Sequence, residues 1–218
     1  MSVLIPTKTP GIIKKIYPNY IWDLYTEESE RKIYLTFDDG PIPEVTPLVL
    51  KELENHKAKA TFFCIGDNIK KHPGVFKQIL NDGHAIGNHT MHHLKAWDND
   101  TKTYIEDIID CENVILKHSD HFAQQKIFRP PYGQISISKF NEIQKLGYKI
   151  ILWDILSKDW EKSLPALICK KNVITHTKPG SIVVFHDSIK ASKNLISVLP
   201  EILAHFTNEG YVFDKITP

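Results

Sequence analysis

Seven strand-like runs alternate with helix-like runs along this chain, and no other feature narrows the possible folds as much. The strand-like runs are KIYLTF (32–37), ATFFCIG (60–66), HAIGNH (84–89), IFRPP (127–131), YKIILWDI (148–155), SIVVFH (181–186) and YVFDKI (211–216). Helix-like runs lie between them at 43–56, 72–83, 101–118, 136–147, 163–177 and 194–210. Three of these end on Gly83, Gly147 and Gly210, the residue that a left-handed helix C-cap prefers. Alternating β and α units imply a parallel sheet covered on both faces. Seven such units in 218 residues fit a (β/α) barrel better than an open sheet. No internal repeat, low-complexity stretch or linker divides the chain. We therefore expect one barrel over residues 31–218, with the aromatic-rich residues 1–30 (IYPNYIWDLY at 16–25) covering one end of its core.

Charge and cysteine content exclude more than they identify. A net charge of +1 gives no electrostatic reason to expect nucleic acid or a membrane surface as partner, while 42% apolar residues suffice for a core. The three cysteines, Cys64, Cys111 and Cys169, are widely spaced in apolar stretches and read as buried free thiols. The first twenty residues lack a long apolar stretch after a basic one and are interrupted by prolines, so the expectation is a cytoplasmic protein without a signal peptide.

Polar residues gather at the C-terminal ends of the strand-like runs. Asp38 and Asp39 follow the first, His89 and His93 the third, Arg129 and Tyr132 the fourth, Asp159 and Trp160 the fifth, and His186 and Asp187 close SIVVF. Barrel enzymes carry their active sites on that rim. Two adjacent carboxylates at the mouth of a buried strand repel each other unless something neutralises them. His89 and His93 are spaced i, i+4, so a helical turn would present both imidazoles on one side, as zinc sites use. One aspartate plus two histidines makes a three-ligand site with open positions, and it leaves the second aspartate free to act as a base. His92 would then point elsewhere, to solvent. Arg129 and Asp159 could instead be an ordinary rim ion pair.

The motifs resemble those of the polysaccharide deacetylase family, the NodB-like carbohydrate esterases. Thr-Phe-Asp-Asp-Gly-Pro matches Thr36 to Pro41; His-Ser/Thr-x-x-His matches His89, Thr90 and His93; Arg-x-Pro-Tyr matches Arg129, Pro131 and Tyr132. Of Asp-x-x-Asp-Trp, Asp159 and Trp160 match but Leu156 stands at the first Asp; Leu-x-His appears as Val184, Phe185 and His186. The resemblance implies a distorted (β/α) barrel of seven or eight strands that removes acetyl groups from N-acetylated sugars of an oligo- or polysaccharide. It implies Asp38 as general base, and Asp39, His89 and His93 as ligands of a divalent metal, zinc first, with cobalt or nickel as alternatives. It implies His186 as general acid, Asp159 as its orienter, Arg129 as the partner of Asp38, and the Tyr132 backbone N–H as oxyanion donor. Thr90 would brace the histidine loop, and Pro131, Tyr132 and Trp160 would shape the substrate pocket. At the departure, Asp154 faces the same side of a strand as residue 156 and is a candidate substitute for the missing carboxylate. Two other function classes share the pattern: a non-catalytic carbohydrate-binding barrel, and a metal-dependent hydrolase of small cyclic amides. The complete set of base, ligands, acid and orienter argues against the first, and Arg129–Pro130–Pro131–Tyr132 with the histidine pair argues against the second.

Overall fold

The computed structural model describes residues 6–25 and 31–217. Of the expected covering segment, residues 1–5 and 26–30 lie outside that set. Eight strands are present among the described residues: β1 (Lys32–Asp38), β2 (Thr61–Cys64), β3 (Ala85–Asn88), β4 (Ile127–Phe128), β5 (Lys149–Ile150), β6 (Ile155–Leu156), β7 (Ile182–His186) and β8 (Val212–Phe213). They form one sheet in the order β5-β4-β3-β2-β1-β7-β6, with β8 paired to the start of β1. Every pairing is parallel. Around it lie α1 (Gly11–Ile16), α2 (Thr46–Asn55), α3 (Gly66–Lys71), α4 (Pro73–Asn81), α5 (Thr101–Leu116), α6 (Ile137–Lys145), α7 (Ala166–His176) and α8 (Ser192–Asn208). The sheet is the expected distorted barrel, and Cys64 on β2, Cys111 on α5 and Cys169 on α7 are free and buried.

Strand alternation decides which side chains reach the interior. Ile33, Leu35 and Phe37 of β1 join the large core under the helices, where Phe37 stacks between Phe62 and Phe185. The other parity, Tyr34, Thr36 and Asp38, faces inward, and Tyr34 packs on the inner cluster of Phe63, Ile127, Ile151, Ile182 and Ile216. Asp38 is thus delivered to the mouth of the barrel by the same period of two that buries Phe37.

The run YKIILWDI is two strands, not the single one expected. Its first half pairs with β4 and its second with β7, and these lie towards opposite edges of the sheet. The chain must turn between them, which it does at residues 151–154. The N-terminal segment fills the gap. Ile21 N–H donates to Ile150 O (2.9 Å) and Leu152 N–H to Ile21 O (2.7 Å), while Thr9 N–H donates to Asp154 O and Leu156 N–H to Thr7 O (both 2.8 Å). Residues 7–9 and 21 therefore supply the backbone partners that β5 and β6 cannot give each other.

Asp154 belongs to this closure rather than to the rim. Its buried carboxylate accepts from Lys14 Nζ (2.6 Å), Lys8 Nζ (3.3 Å) and Ser181 Oγ (2.7 Å), at the start of β7 and far from its C-terminal His186. It does not replace the carboxylate missing at Leu156. Truncating the carboxylate takes an acceptor from three donors at once, although Lys14 keeps Asp23 and Lys8 keeps His176 O. Asp154→Ala should lower unfolding free energy by about 2–4 kcal/mol in urea titration without altering metal affinity.

Candidate active site

The centre of the site is a guanidinium with no access to solvent. Arg129 is 0% exposed and lies over the Phe63 ring, 4.1 Å from its centroid. Its Nη1 donates to Asp38 Oδ1 (2.7 Å) and to Thr36 Oγ1 (2.7 Å), its Nε to Ile151 O (3.2 Å) and its Nη2 to Leu152 O (2.9 Å). Thr36 Oγ1 in turn donates a hydrogen bond to Val183 O (2.9 Å). The expected alternative, an Arg129–Asp159 rim pair, is therefore absent: the two have separate partners. Asp38 is held through one oxygen and lines the cavity above.

Asp39 turns away from Asp38 because its backbone is left-handed, with φ +82°. Such a conformation costs a non-glycine residue energy and persists only where the surroundings impose it. Here Asn68 Nδ2 donates to Asp39 O (2.7 Å) and Gly40 N–H to Asp187 Oδ1 (3.0 Å). Asp39 Oδ1 faces His93 Nε2 at 3.3 Å and His89 Nε2 at 3.8 Å.

The histidines reach this point from a loop, not from the helical turn their spacing suggested. Thr90 and His93 both have positive φ (+66° and +56°), so the chain coils tightly without helical hydrogen bonding. Asn88 Oδ1 accepts from Thr90 N–H (2.8 Å), and Thr90 Oγ1 accepts from Leu94 N–H (3.2 Å). His89 Nδ1 donates to Arg129 O (2.7 Å), which leaves the Nε2 lone pair directed at Asp39. Burial holds the His89 imidazole down at about 4 and also lowers His93, so both are neutral, the form that binds metal. His92 points away as expected, though Asp107 Oδ1 holds its Nδ1 at 2.5 Å.

The donor set fits a divalent ion. Asp39 Oδ1 is buried without a hydrogen-bond partner, a costly condition that a cation would relieve. One atom each from Asp39, His89 and His93 lies within 4.8 Å of the others. Ligand atoms about 2.0–2.2 Å from a shared tetrahedral ion sit at similar separations.

Across the cavity stands His186, opposite Asp38 in the β1–β7 register. Asp159 Oδ1 accepts from its Nδ1 (2.9 Å) and Oδ2 from its backbone N–H (2.7 Å). Burial opposes the imidazolium, but the Asp159 charge and hydrogen bond, aided by Asp39 and Asp38, raise the His186 pKa to about 9. Asn194 Nδ2 fixes the loop behind by donating to Asp159 O (3.2 Å). The Trp160 ring packs edge-on against His186, 4.8 Å between centroids.

These groups enclose a cavity of about 400 Å³ whose wall includes Tyr132, Trp153, Leu156, Trp160 and Val184. Tyr132, at φ +61°, packs its ring on His93 at 4.9 Å. Pro131 is buried and lies outside the wall; Pro130 takes the place expected for it. Leu156 and Val184, partners in the β6–β7 register, make an apolar wall, with Leu156 at the position where the resembled motif has its first aspartate. Sequence reasoning missed Trp153, Asn68, Asn88 and Asn194, and it placed Asp187 on the rim without giving it a role. The asparagines bind backbone across the fold, which no local spacing reveals. Asp187 was readable as a polar residue directly after a buried strand.

Residues 26–151 match the family model described as Polysaccharide deacetylase. A peptidoglycan-N-acetylglucosamine deacetylase of Bacillus cereus is 36% identical over 191 residues, covering 87% of this chain and 88% of that protein. A chitooligosaccharide deacetylase of Azorhizobium caulinodans is 38% identical over 161 residues, covering 73% and 75%. The solved structure of the Bc1960 peptidoglycan N-acetylglucosamine deacetylase superposes with a TM-score of 0.86 at 30% identity, covering 95% of each chain. With five motifs in order, a shared barrel and these relatives, the chain belongs to the polysaccharide deacetylase family.

Proposed function

We propose that this protein is a metal-dependent hydrolase that removes acetyl groups from the N-acetylated sugars of a peptidoglycan- or chitin-like glycan. The observation that carries the reading is the partnerless Asp39 Oδ1, which faces two neutral imidazoles between an aspartate on one side and a protonated histidine on the other. The names of the relatives support the substrate class, since both a peptidoglycan unit and a chitooligosaccharide are N-acetylated sugars.

Asp39, His89 and His93 would hold the ion, with zinc first for this oxygen–nitrogen donor set and cobalt or nickel as alternatives. The ion supplies Lewis-acid chemistry, making water acidic near neutral pH and polarising an acyl oxygen. Asp38, anchored through Oδ1 to Arg129, takes the proton of the attacking water. The Tyr132 backbone N–H is the fixed donor for the developing oxyanion. His186, cationic at neutral pH, gives its proton from Nε2 to the leaving amine, because Nδ1 is committed to Asp159. Leu156, Val184 and Trp160 form the apolar wall against which the acetyl methyl packs.

Two variants separate the aspartates. Asp38→Asn should cut acetate release from an acetylated chitooligosaccharide by ~10²-fold or more while zinc affinity in calorimetry stays within a few fold. Asp39→Asn should lose zinc and activity together. Equal loss of zinc in both would remove the division of labour.

The acid sets the alkaline side of the pH profile. His186 donates while protonated, so the rate should fall as pH rises through about 9. Asp159→Asn removes the charge that opposes burial. The alkaline limb should move to lower pH by at least about one unit and the maximal rate should drop ~10-fold or more, with zinc retained. An unmoved limb with full rate would mean that Asp159 does not support the acid.

A further inference from the structure

Asp187 is a fully buried carboxylate that the chemistry above does not use. It follows His186 directly, and it makes three contacts, one each with the end of β1, the turn after it and the start of α2. Its Oδ1 accepts from Gly40 N–H (3.0 Å), its Oδ2 from Thr46 Oγ1 (2.6 Å), and its own N–H donates to Asp38 O (3.0 Å). Thr46 Oγ1 in turn accepts from Ile42 N–H (2.8 Å), so the start of α2 is drawn into the same knot. The residues on both sides of Asp39 are thereby held by one amino acid, Asp38 through main chain and Gly40 through the carboxylate.

The fit at Gly40 is close enough to explain why that position is glycine. A Cβ there would lie 2.0 Å from Asp187 Oδ2 and 2.5 Å from Asp187 Cγ. Gly40 is not among the residues with positive φ, so the nearby carboxylate, not the backbone, excludes a side chain. Burial of a carboxylate is unfavourable and is tolerated where its oxygens are matched by donors, as both are here. Ser188 hydrogen-bonds the Asp39 carboxylate, but its Oδ1 has no donor, and its left-handed backbone depends on neighbours.

We infer that Asp187 is a positioning residue: it clamps the Asp38–Asp39–Gly40 turn so that Asp39 faces His89 and His93 while Asp38 stays on Arg129, at a fixed offset from His186. The inference rests on the reading of Asp39 as a metal ligand. It makes Gly40 and Asp187 one unit, spaced 147 residues apart in sequence. Groups that orient a ligand of this kind change metal affinity by about 10–100-fold when removed.

The test uses the full chain carrying Asp187→Ala, Asp187→Asn, Gly40→Ala and the Gly40→Ala/Asp187→Ala pair. Zinc affinity is read by calorimetry, kcat and KM on an acetylated chitooligosaccharide, and folding by circular dichroism. Asp187→Ala should weaken zinc binding roughly tenfold or more and lower kcat with little change in KM. Gly40→Ala should reproduce that defect by displacing the carboxylate. In the double variant the Gly40 substitution should add almost nothing, because the group it collides with is gone. Asp187→Asn, which keeps the shape and one acceptor, should fall between the parent and Asp187→Ala; it carries the test if the alanine variant does not fold. Asp187→Asn or Asp187→Ala with parental zinc affinity and kcat, whatever its melting temperature, would overturn the inference alone. So would strictly additive effects of Gly40→Ala and Asp187→Ala. A parent protein that binds no zinc would overturn the metal reading itself, and this inference with it.

Discussion

A buried guanidinium can exist only if its donors find acceptors, and satisfying Arg129 organises the centre of this protein. Two of its partners, Thr36 and Asp38, are on β1, and two are the carbonyls of Ile151 and Leu152 at the bend after β5. The side chain thus spans the barrel interior and fastens the central strand to an edge. Its carbonyl oxygen also accepts from His89 Nδ1, so the same residue sets the tautomer of a candidate ligand. Fold closure and site geometry meet in one amino acid.

Around that anchor, environment pushes otherwise similar groups to opposite states. Burial lowers the His89 pKa to about 4 and so keeps it neutral at neutral pH, whereas the Asp159 carboxylate keeps His186 protonated up to about 9. One imidazole is suited to bind a cation and the other to deliver a proton, though both lie in the same cavity. The two aspartates divide in the same way. Asp38 is taken by Arg129, while burial works against the charge of Asp39 but the cationic His186 and a Ser188 hydrogen bond support it, so its carboxyl sits below the ordinary value.

Much of this was legible in the sequence, because strand periodicity and motif order are local properties. The order of the runs placed Asp38 at the C-terminal end of the first strand, and the glycines at 83, 147 and 210 do end helices with positive φ. What the sequence hid depends on distant partners. The break in YKIILWDI follows from β5 and β6 lying at opposite edges of the sheet. The i, i+4 spacing of His89 and His93 suggested a helix, but Asn88 and Arg129 impose a left-handed loop that gives the same convergence. Asp154 looked like a neighbour of Leu156 until the bend carried it to Lys8 and Lys14. Pro130 rather than Pro131 lines the cavity, although both prolines are buried.

The central claim is that Asp39, His89 and His93 form one metal site on which deacetylation depends. It is tested most directly by stripping the protein with a chelator and restoring zinc in measured steps. Acetate release from an acetylated chitooligosaccharide is followed at each step. The account predicts negligible turnover in the stripped protein and a linear recovery that levels off at one equivalent of zinc. Turnover that survives the chelator unchanged, or recovery that continues to a second equivalent, would contradict it.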